Sequence, residues 1–303
     1  MRDFNHIRLR YLAEVINTGA IRKAATKMGI APSAVSRQIT LLEEELGLGV
    51  IERHRRGVIP TEVGQLLMTY YRQYTAQRNS ILAEIKSLQG LHSGTVHIAT
   101  GEGLIQDLIN GPLHTFKKNF PDIAISIQVM SAREILGIIR EDEAEIGLLL
   151  NQNLKDPSVS IRGKQIQPLV AIIPRNHPLA NKKKVNLEEL SLWPIGLLDE
   201  RFGIRQVIEH AAYVAKVQLV PSLSTNSINC LIEHTTTGKG ITILPEFCVR
   251  KQLEHDDISA ISISDEILKN SEIQIITRVG RYLSPAANRF LSYCLRDLPA
   301  LKA

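Results

Sequence analysis

Apolar residues recur near a period of 3.6 through residues 4–18, where Phe4, Ile7, Leu9, Leu12, Val15 and Ile16 form one stripe and predict a helix. Gly19 ends it, and residues 20–28 predict a short second helix in which Ala24 and Ala25 allow close packing. Gly29 supplies a left-handed stop, and Pro32 suits the first turn of a third helix running to about Leu46. On that third helix Val35, Ile39, Leu42 and Leu46 stand at i, i+4, i+7 and i+11 and line one buried face. Ser33, Ser36, Arg37 and Thr40 lie on another face, which holds short hydroxyls, one arginine and no acid before Glu43. A helix that enters a major groove needs small donors that allow approach and cations that meet phosphates or guanine edges. Two helices joined by a short glycine-containing turn, the second with such a face, predict a helix-turn-helix, with an ordinary three-helix packing unit as the alternative.

After Gly47 the run VIERHRRGVIP (Val50 to Pro60) brings Arg53, Arg55 and Arg56 together ahead of a glycine and two β-branched residues. That pattern predicts a basic wing on the phosphate backbone, a contact that gives affinity without sequence information. Residues 61–89 contain no proline and one glycine, Gly64. Leu66, Leu67, Tyr70, Tyr71, Tyr74, Ile81, Leu82, Ile85 and Leu88 form a stripe along them, predicting a helix roughly 40 Å long at 1.5 Å per residue. A small winged domain does not cover such a length; the apolar face suits a second copy of the chain or the chain's own C-terminal part. Gly90 to Gly94 then reads as a hinge.

From Thr95 onward short β runs alternate with helical stretches, which predicts α/β architecture. The expected strands are Val96–Ala99, Ile123–Val129, Ile146–Leu150, Leu169–Ile173, Ile195–Leu198, Val217–Val220, Ile241–Leu244, Ile258–Ile263 and Ile273–Thr277.

Composition narrows the class. The 303 residues are 44% hydrophobic and 22% charged, with mean hydropathy −0.02, ordinary for a globular chain of about two domains. No stretch approaches the roughly 20 apolar residues that span a bilayer, and the charged N-terminal run lacks the apolar core of a secretory signal. Cys230, Cys248 and Cys294 fit neither a disulfide framework nor a zinc ribbon, so a reduced, cytoplasmic protein is expected. Residues 1–91 carry 13 Lys and Arg against 8 Asp and Glu, whereas residues 92–303 carry 23 of each. All the excess positive charge therefore lies in the first third, as in a nucleic-acid-binding module joined to a neutral partner, although a solvated face would also carry it.

The run AAxxMxIAPSAVSRQIxxLExxLG (Ala24 to Gly47), followed by VIERxxR from Val50 and TEVG from Thr61, resembles the LysR-type transcriptional regulators. The resemblance implies an N-terminal winged helix-turn-helix over 1–60, a dimerising linker helix over 61–91 and a two-lobed α/β effector-binding domain of periplasmic-binding-protein type over 92–303. Lobe I is then about 92–165 with 270–303, and lobe II about 166–269, with the chain crossing near 163–167 and returning near 267–272. Weaker matches lie at LVAIIPRNHPLA from Leu169 and GKGITILP from Gly238. In one departure, Ala31-Pro32-Ser33 stands where the family often has Ser-Gln-Pro, and alanine is a poor N-cap. The resemblance assigns base reading to Ser33, Ser36 and Arg37 with Thr40 beside them, and backbone contacts to Arg53, Arg55 and Arg56.

No catalytic set assembles. TGEGL from Thr100 is similar to a dinucleotide fingerprint, but Gln106 replaces the third glycine and the next strand ends in Met130-Ser131 rather than an acid. The histidines have no paired metal spacing, and His177 reads as a turn residue. No cofactor or metal is expected. Ser131 and Glu134 form a capping box, the run Ser224 to Ser227 begins another helix, and Thr100-Gly101 precedes a third. Helix N-termini favour anions, and the matching segments of the family line the effector cleft. On that basis Thr100, Gly101, Glu102, Ser131, Phe202, Thr225 and Asn226 are carried over as effector residues, simple capping being the alternative for each. The Glu102 carboxylate opposes a carboxylate effector and suits an amine or a hydroxyl.

The expected function is sequence-specific regulation of transcription, modulated by a small molecule bound between the lobes. The partners are then operator DNA, an unidentified effector and further copies of the chain as a homodimer or homotetramer, with no membrane. A cytoplasmic small-molecule sensor with only non-specific DNA binding is the alternative, and an enzyme the third.

Overall fold

The computed structural model describes residues 5–54, 57–88, 94–151 and 156–302, without the side chains of 83, 86–88 and 151. Phe4, Arg55, Arg56 and most of the expected hinge at 90–94 lie outside these. The chain forms two compact units, Met1–Asn79 and Ser80–Ala303.

The smaller unit begins with α1 (His6–Thr18), α2 (Ile21–Met28) and α3 (Pro32–Leu46). Asn5 caps α1 by accepting from the Ile7 N–H at 3.0 Å, and each of the three helices ends on a left-handed glycine, Gly19, Gly29 or Gly47. Leu9, Leu12, Val15, Ala24, Ala25, Val35, Ile39, Leu42 and Val50 form its core. Strands β1 (Ile51–His54) and β2 (Gly57–Pro60) then pair antiparallel as a wing. The long helix α4 (Glu62–Leu88) has 27 residues, about 40 Å of helix. Thr61 caps it: its hydroxyl accepts from the Gly64 N–H at 3.1 Å and donates to the Gly49 carbonyl at 2.8 Å. Leu67 packs into the core, while Leu66, Ile81, Leu82 and Ile85 on the same helix are exposed.

The larger unit holds two lobes. The first contains β3 (Gly94–Thr100), α5 (Ile105–Leu108), α6 (His114–Asn119), β4 (Ile123–Val129), α7 (Ala132–Arg140), β5 (Ile146–Asn151) and β6 (Val159–Ile166). The chain crosses at Gln167-Pro168 into β7 (Leu169–Pro174), β8 (Lys184–Val185), α8 (Leu187–Leu190), β9 (Ile195–Leu198), α9 (Gly203–Ala215), β10 (Pro221–Thr225), α10 (Ile228–Thr236), β11 (Ile241–Pro245), α11 (Arg250–Glu254), β12 (Ile258–Ile263) and α12 (Glu266–Lys269). It returns to the first lobe as β13 (Glu272–Arg278) and α13 (Pro285–Asp297).

The first sheet has the order β4-β3-β5-β13-β6, with β3 parallel to both β4 and β5. The returning strand β13 lies antiparallel between β5 and β6. The second sheet has the order β10-β9-β11-β7-β12-β8, with β9 parallel to β10 and β11. The two crossings touch: the Gln167 N–H donates to the Ser271 carbonyl at 2.7 Å. Leu104 and Leu108 from the first lobe and Ile228, Phe247 and Val249 from the second belong to one apolar cluster, so the lobes share a seam. Among the described residues no helix is long and apolar enough to cross a membrane.

The structure moves one expected strand. Val217–Val220 is not a strand, because the Val217 N–H donates to the Ala212 carbonyl at 2.9 Å and closes the end of α9 behind the left-handed Lys216. The strand follows at Pro221–Thr225, with its proline at the first position of an edge strand, where no ladder donor is needed. Strand β6, unmarked in the sequence, lies at the other edge, mixes polar with apolar residues and buries only Val159.

Gly64 has a packing reason. A Cβ there would sit 2.1 Å from the Val50 carbonyl oxygen and 3.2 Å from Pro60 Cβ. Gly64→Ala is expected to destabilise the smaller unit by about 1–3 kcal/mol. Calorimetry would then record an earlier unfolding transition for that unit and an unshifted one for the larger unit.

Candidate functional site: recognition helix and inter-lobe cleft

On α3, Val35, Ile39 and Leu42 are fully buried, whereas Ser33, Arg37 and Thr40 are exposed and Ser36 is half-buried. The inward stripe fixes the rotation of the helix, so the polar face can only point to solvent. Arg37 makes no ion pair among the described residues. Of the three acids at the end of α3, Glu43 accepts from the Val50 N–H at 2.9 Å and Glu45 is ion-paired with Arg8, while Glu44 is exposed one turn beyond Thr40. Arg53 on the wing donates to the Ser36 hydroxyl at 3.4 Å, so wing and helix present one continuous basic surface. Arg55 and Arg56 lie outside the described residues.

In the larger unit the parallel strands β3, β4, β9 and β10 all run toward the gap between the lobes, and the segments after their carboxyl ends line it. Such ends, at the point where strand order reverses, are where open α/β sheets leave a crevice. The main cleft, about 510 Å³, is lined by Glu102, Val129, Met130, Ser131, Glu134, Ile138, Arg201, Phe202 and Asn226. A smaller apolar recess of about 50 Å³ opens among Gly101, Gly103, Met130, Ile135, Leu149, Phe202, Ile204 and Cys248. The sequence-derived set thus divides: Gly101, Glu102, Ser131, Phe202 and Asn226 meet at these cavities, and two residues do not. Thr100 is fully buried and its hydroxyl donates to the Gly101 carbonyl at 3.2 Å. Thr225 ends β10, its hydroxyl accepting from the Ser227 N–H at 3.2 Å.

Two local expectations change. Helix α10 is capped by Ser227, not by Ser224 or Thr225, which finish the strand before it. After Thr100-Gly101 comes a single 3-10 turn, Glu102–Leu104, with no side-chain cap. Glu102 does not await an amine. Its carboxylate accepts from the Ile228 N–H at 2.5 Å, the Ser227 hydroxyl at 3.0 Å and the Asn229 N–H at 3.3 Å, all on the opposite lobe.

Ser131 forms the expected capping box. Its hydroxyl and N–H donate to the Glu134 carboxylate at 2.7 and 2.9 Å, and it accepts from the Glu134 N–H at 3.4 Å. The Ser131 hydroxyl and backbone N–H hold the Glu134 carboxyl below its ordinary value. Across the mouth, Arg201 forks onto Asp199 at 2.8 and 3.2 Å and lowers that carboxyl likewise. Cys248 is buried beside Gly103, and burial pushes its thiol well above the ordinary range. Among the described residues no group of three or more His, Cys, Asp or Glu could hold a metal ion. His177 sits in a turn, its Nδ1 accepting from the Leu179 N–H at 3.2 Å.

Residues 89–299 match the LysR substrate binding domain, and residues 7–65 match the bacterial regulatory helix-turn-helix proteins of the lysR family. The chain belongs to the LysR family. It is a DNA-binding transcriptional regulator with an effector-binding domain. An uncharacterized HTH-type transcriptional regulator of Escherichia coli, YnfL, is 27% identical over 295 residues, covering 96% of this chain and 97% of that protein. Full-length OxyR C199D from Pseudomonas aeruginosa superposes with a TM-score of 0.77 at 16% identity, over 100% of this chain and 98% of that one. The regulatory domain of CcmR from Synechocystis PCC6803, solved with 2-PG, gives a TM-score of 0.61 at 18% identity, over 67% of this chain and 97% of that domain.

For this LysR-family chain, sequence reasoning missed Arg201, Asp199 and the donors of α10. An exposed Asp-x-Arg pair has no periodicity to mark it, and a backbone N–H has no letter. Glu134 was legible through its spacing from Ser131. Replacing Ser131 by alanine is expected to cost about 1 kcal/mol of stability in the larger unit, measured by thermal melting. Because the folded Glu134 carboxyl is lowered, its contribution is present above the unfolded value of about 4.3 and is lost as pH falls through the lowered folded value. The gap between the wild type and Ser131→Ala should therefore persist at neutral pH and close in acid.

Proposed function

We propose that this regulator reads operator DNA through Ser33, Ser36, Arg37 and Thr40, with Arg53, Arg55 and Arg56 on the phosphates. The observation that carries the reading is the outward face of α3: three short hydroxyls and an arginine with no ion pair among the described residues, the first acid on that face being the exposed Glu44 one turn beyond Thr40. Arg53 beside Ser36 supports joint action of wing and helix on one stretch of duplex. The functional division is a DNA-binding segment at 1–60, a linker over 61–91 and an effector domain over 92–303, with lobes changing near 166 and 270. The exposed Leu66, Ile81, Leu82 and Ile85 of α4 support self-association, as a homodimer or homotetramer, since a soluble chain rarely leaves such a stripe in water. The site of action is the cytoplasm, at the nucleoid, and no catalytic step is assigned.

The effector is a small molecule in the cleft of about 510 Å³, against Ser131, Phe202 and Asn226. That volume is in the range of ordinary ligand pockets. The 2-PG complex of the CcmR regulatory domain supports a ligand of that size class. The ligand biases the lobes only by the difference in its affinity for their two arrangements.

The test is selection of bound duplexes from a random pool, at fixed salt, with the wild type and Arg37→Ala. An enriched, roughly palindromic site is expected for the wild type, weakened by about 1–3 kcal/mol in the variant at the base pair that Arg37 reads. Arg53→Ala should instead weaken all sequences alike and lower the salt slope by about 1. Uniform, salt-sensitive binding without enrichment would favour the sensor with non-specific DNA affinity.

A further inference from the structure

Glu102 belongs to the first lobe, yet all the donors named above for its carboxylate come from the second. The Ile228 N–H at 2.5 Å, the Asn229 N–H at 3.3 Å and the Ser227 hydroxyl at 3.0 Å form the start of the nine-residue helix α10. A helix N-terminus carries unmet N–H groups and partial positive charge, and an anion is its natural complement. Here a carboxylate of the protein itself supplies that anion across the gap. The neighbouring geometry supports a held contact. A Cβ on Gly103 would lie 2.6 Å from Cys248 Sγ and 3.2 Å from Ile228 Cδ1, so the absence of a side chain at 103 allows this close approach. A second bridge leaves the same segment: the Asp107 carboxylate accepts from Arg250 on α11 at 2.8 Å.

We propose that Glu102 is an internal latch: its carboxylate occupies the N-terminus of α10 in place of a ligand anion and holds the two lobes together when the cleft is empty. Its consequence for effectors rests on the reading of the cleft as the effector site; the latch itself does not. An effector carrying a carboxylate or phosphate reaches these N–H groups only by displacing Glu102. Anionic compounds therefore meet an internal competitor, and displacing it removes one of the contacts that join the lobes. A neutral ligand that settles against Ser131 and Phe202 leaves the latch closed.

The test is hydrogen exchange of the Ile228 and Asn229 amides in the full-length, effector-free protein, comparing wild type with Glu102→Ala. Losing a charge-assisted acceptor is expected to speed their exchange by about 10-fold or more. Gly103→Ala is the second variant: it keeps the carboxylate but forces the seam apart, and the same amides should quicken. A retained far-UV spectrum in each variant shows that it has folded. Titration with inorganic phosphate, followed at the same amides, reads the competition, and Glu102→Ala should bind it about 10-fold more tightly than wild type. Unchanged exchange in both variants overturns the latch. Faster exchange without tighter phosphate binding overturns its role as competitor. Neither result touches the DNA selection, so failure of the latch and failure of the regulator reading remain separate.

Discussion

The larger unit depends on one constraint, the paired crossing of the chain between its sheets. Gln167 and Ser271 are 104 positions apart in sequence, yet they are joined by a backbone hydrogen bond of 2.7 Å. Because β13 returns to fill the place between β5 and β6, the first lobe does not complete its sheet without chain that has first passed through the second, whose own strands β7 to β12 are continuous in sequence. The crossings bring both sheets to the gap with the carboxyl ends of their parallel strands toward it. Four strand-to-helix junctions, two of them capped by a serine side chain, then share one space. The cleft follows from that topology before any particular ligand is considered.

A different economy governs the smaller unit. With Val35, Ile39 and Leu42 in the core, α3 has no rotational freedom left, and its polar face is presented by default. What makes this face suited to a polyanion is how its acids are employed. Glu43 holds the start of β1 and Glu45 is paired with Arg8, so two of the three acids of α3 are drawn into internal contacts and Glu44 alone of the three stays exposed, at the far end of the face. Structural and electrostatic demands are met by the same two residues.

The sequence made the smaller unit legible almost residue by residue, because helical periodicity and glycine stops are local signals; α3 begins at Pro32 and ends at Leu46 as its pattern predicts. The strands buried in the sheet interiors, such as Ile195–Leu198 and Ile258–Ile263, were equally readable from their apolar runs. Edges were not. The polar residues of β6 look like loop, and the apolar Val217–Val220 looked like strand while serving the end of α9. At the cleft, short-range features such as the Ser131–Glu134 box could be read. The partners of Glu102 could not, since residues 102 and 228 lie on opposite sides of the first crossing and two of the donors are main-chain N–H groups.

The seam between the lobes leaves no spare volume at one point. Gly103 faces the sulfur of Cys248 so closely that a single added carbon would stand 2.6 Å from it. Since burial keeps that thiol protonated, Cys248 acts there as a shape rather than as a nucleophile. In evolutionary terms the two positions form one site with two addresses. A lineage that enlarges residue 103 has to shrink residue 248 or accept a wider seam, so substitutions at the two should be correlated across relatives that keep this lobe geometry.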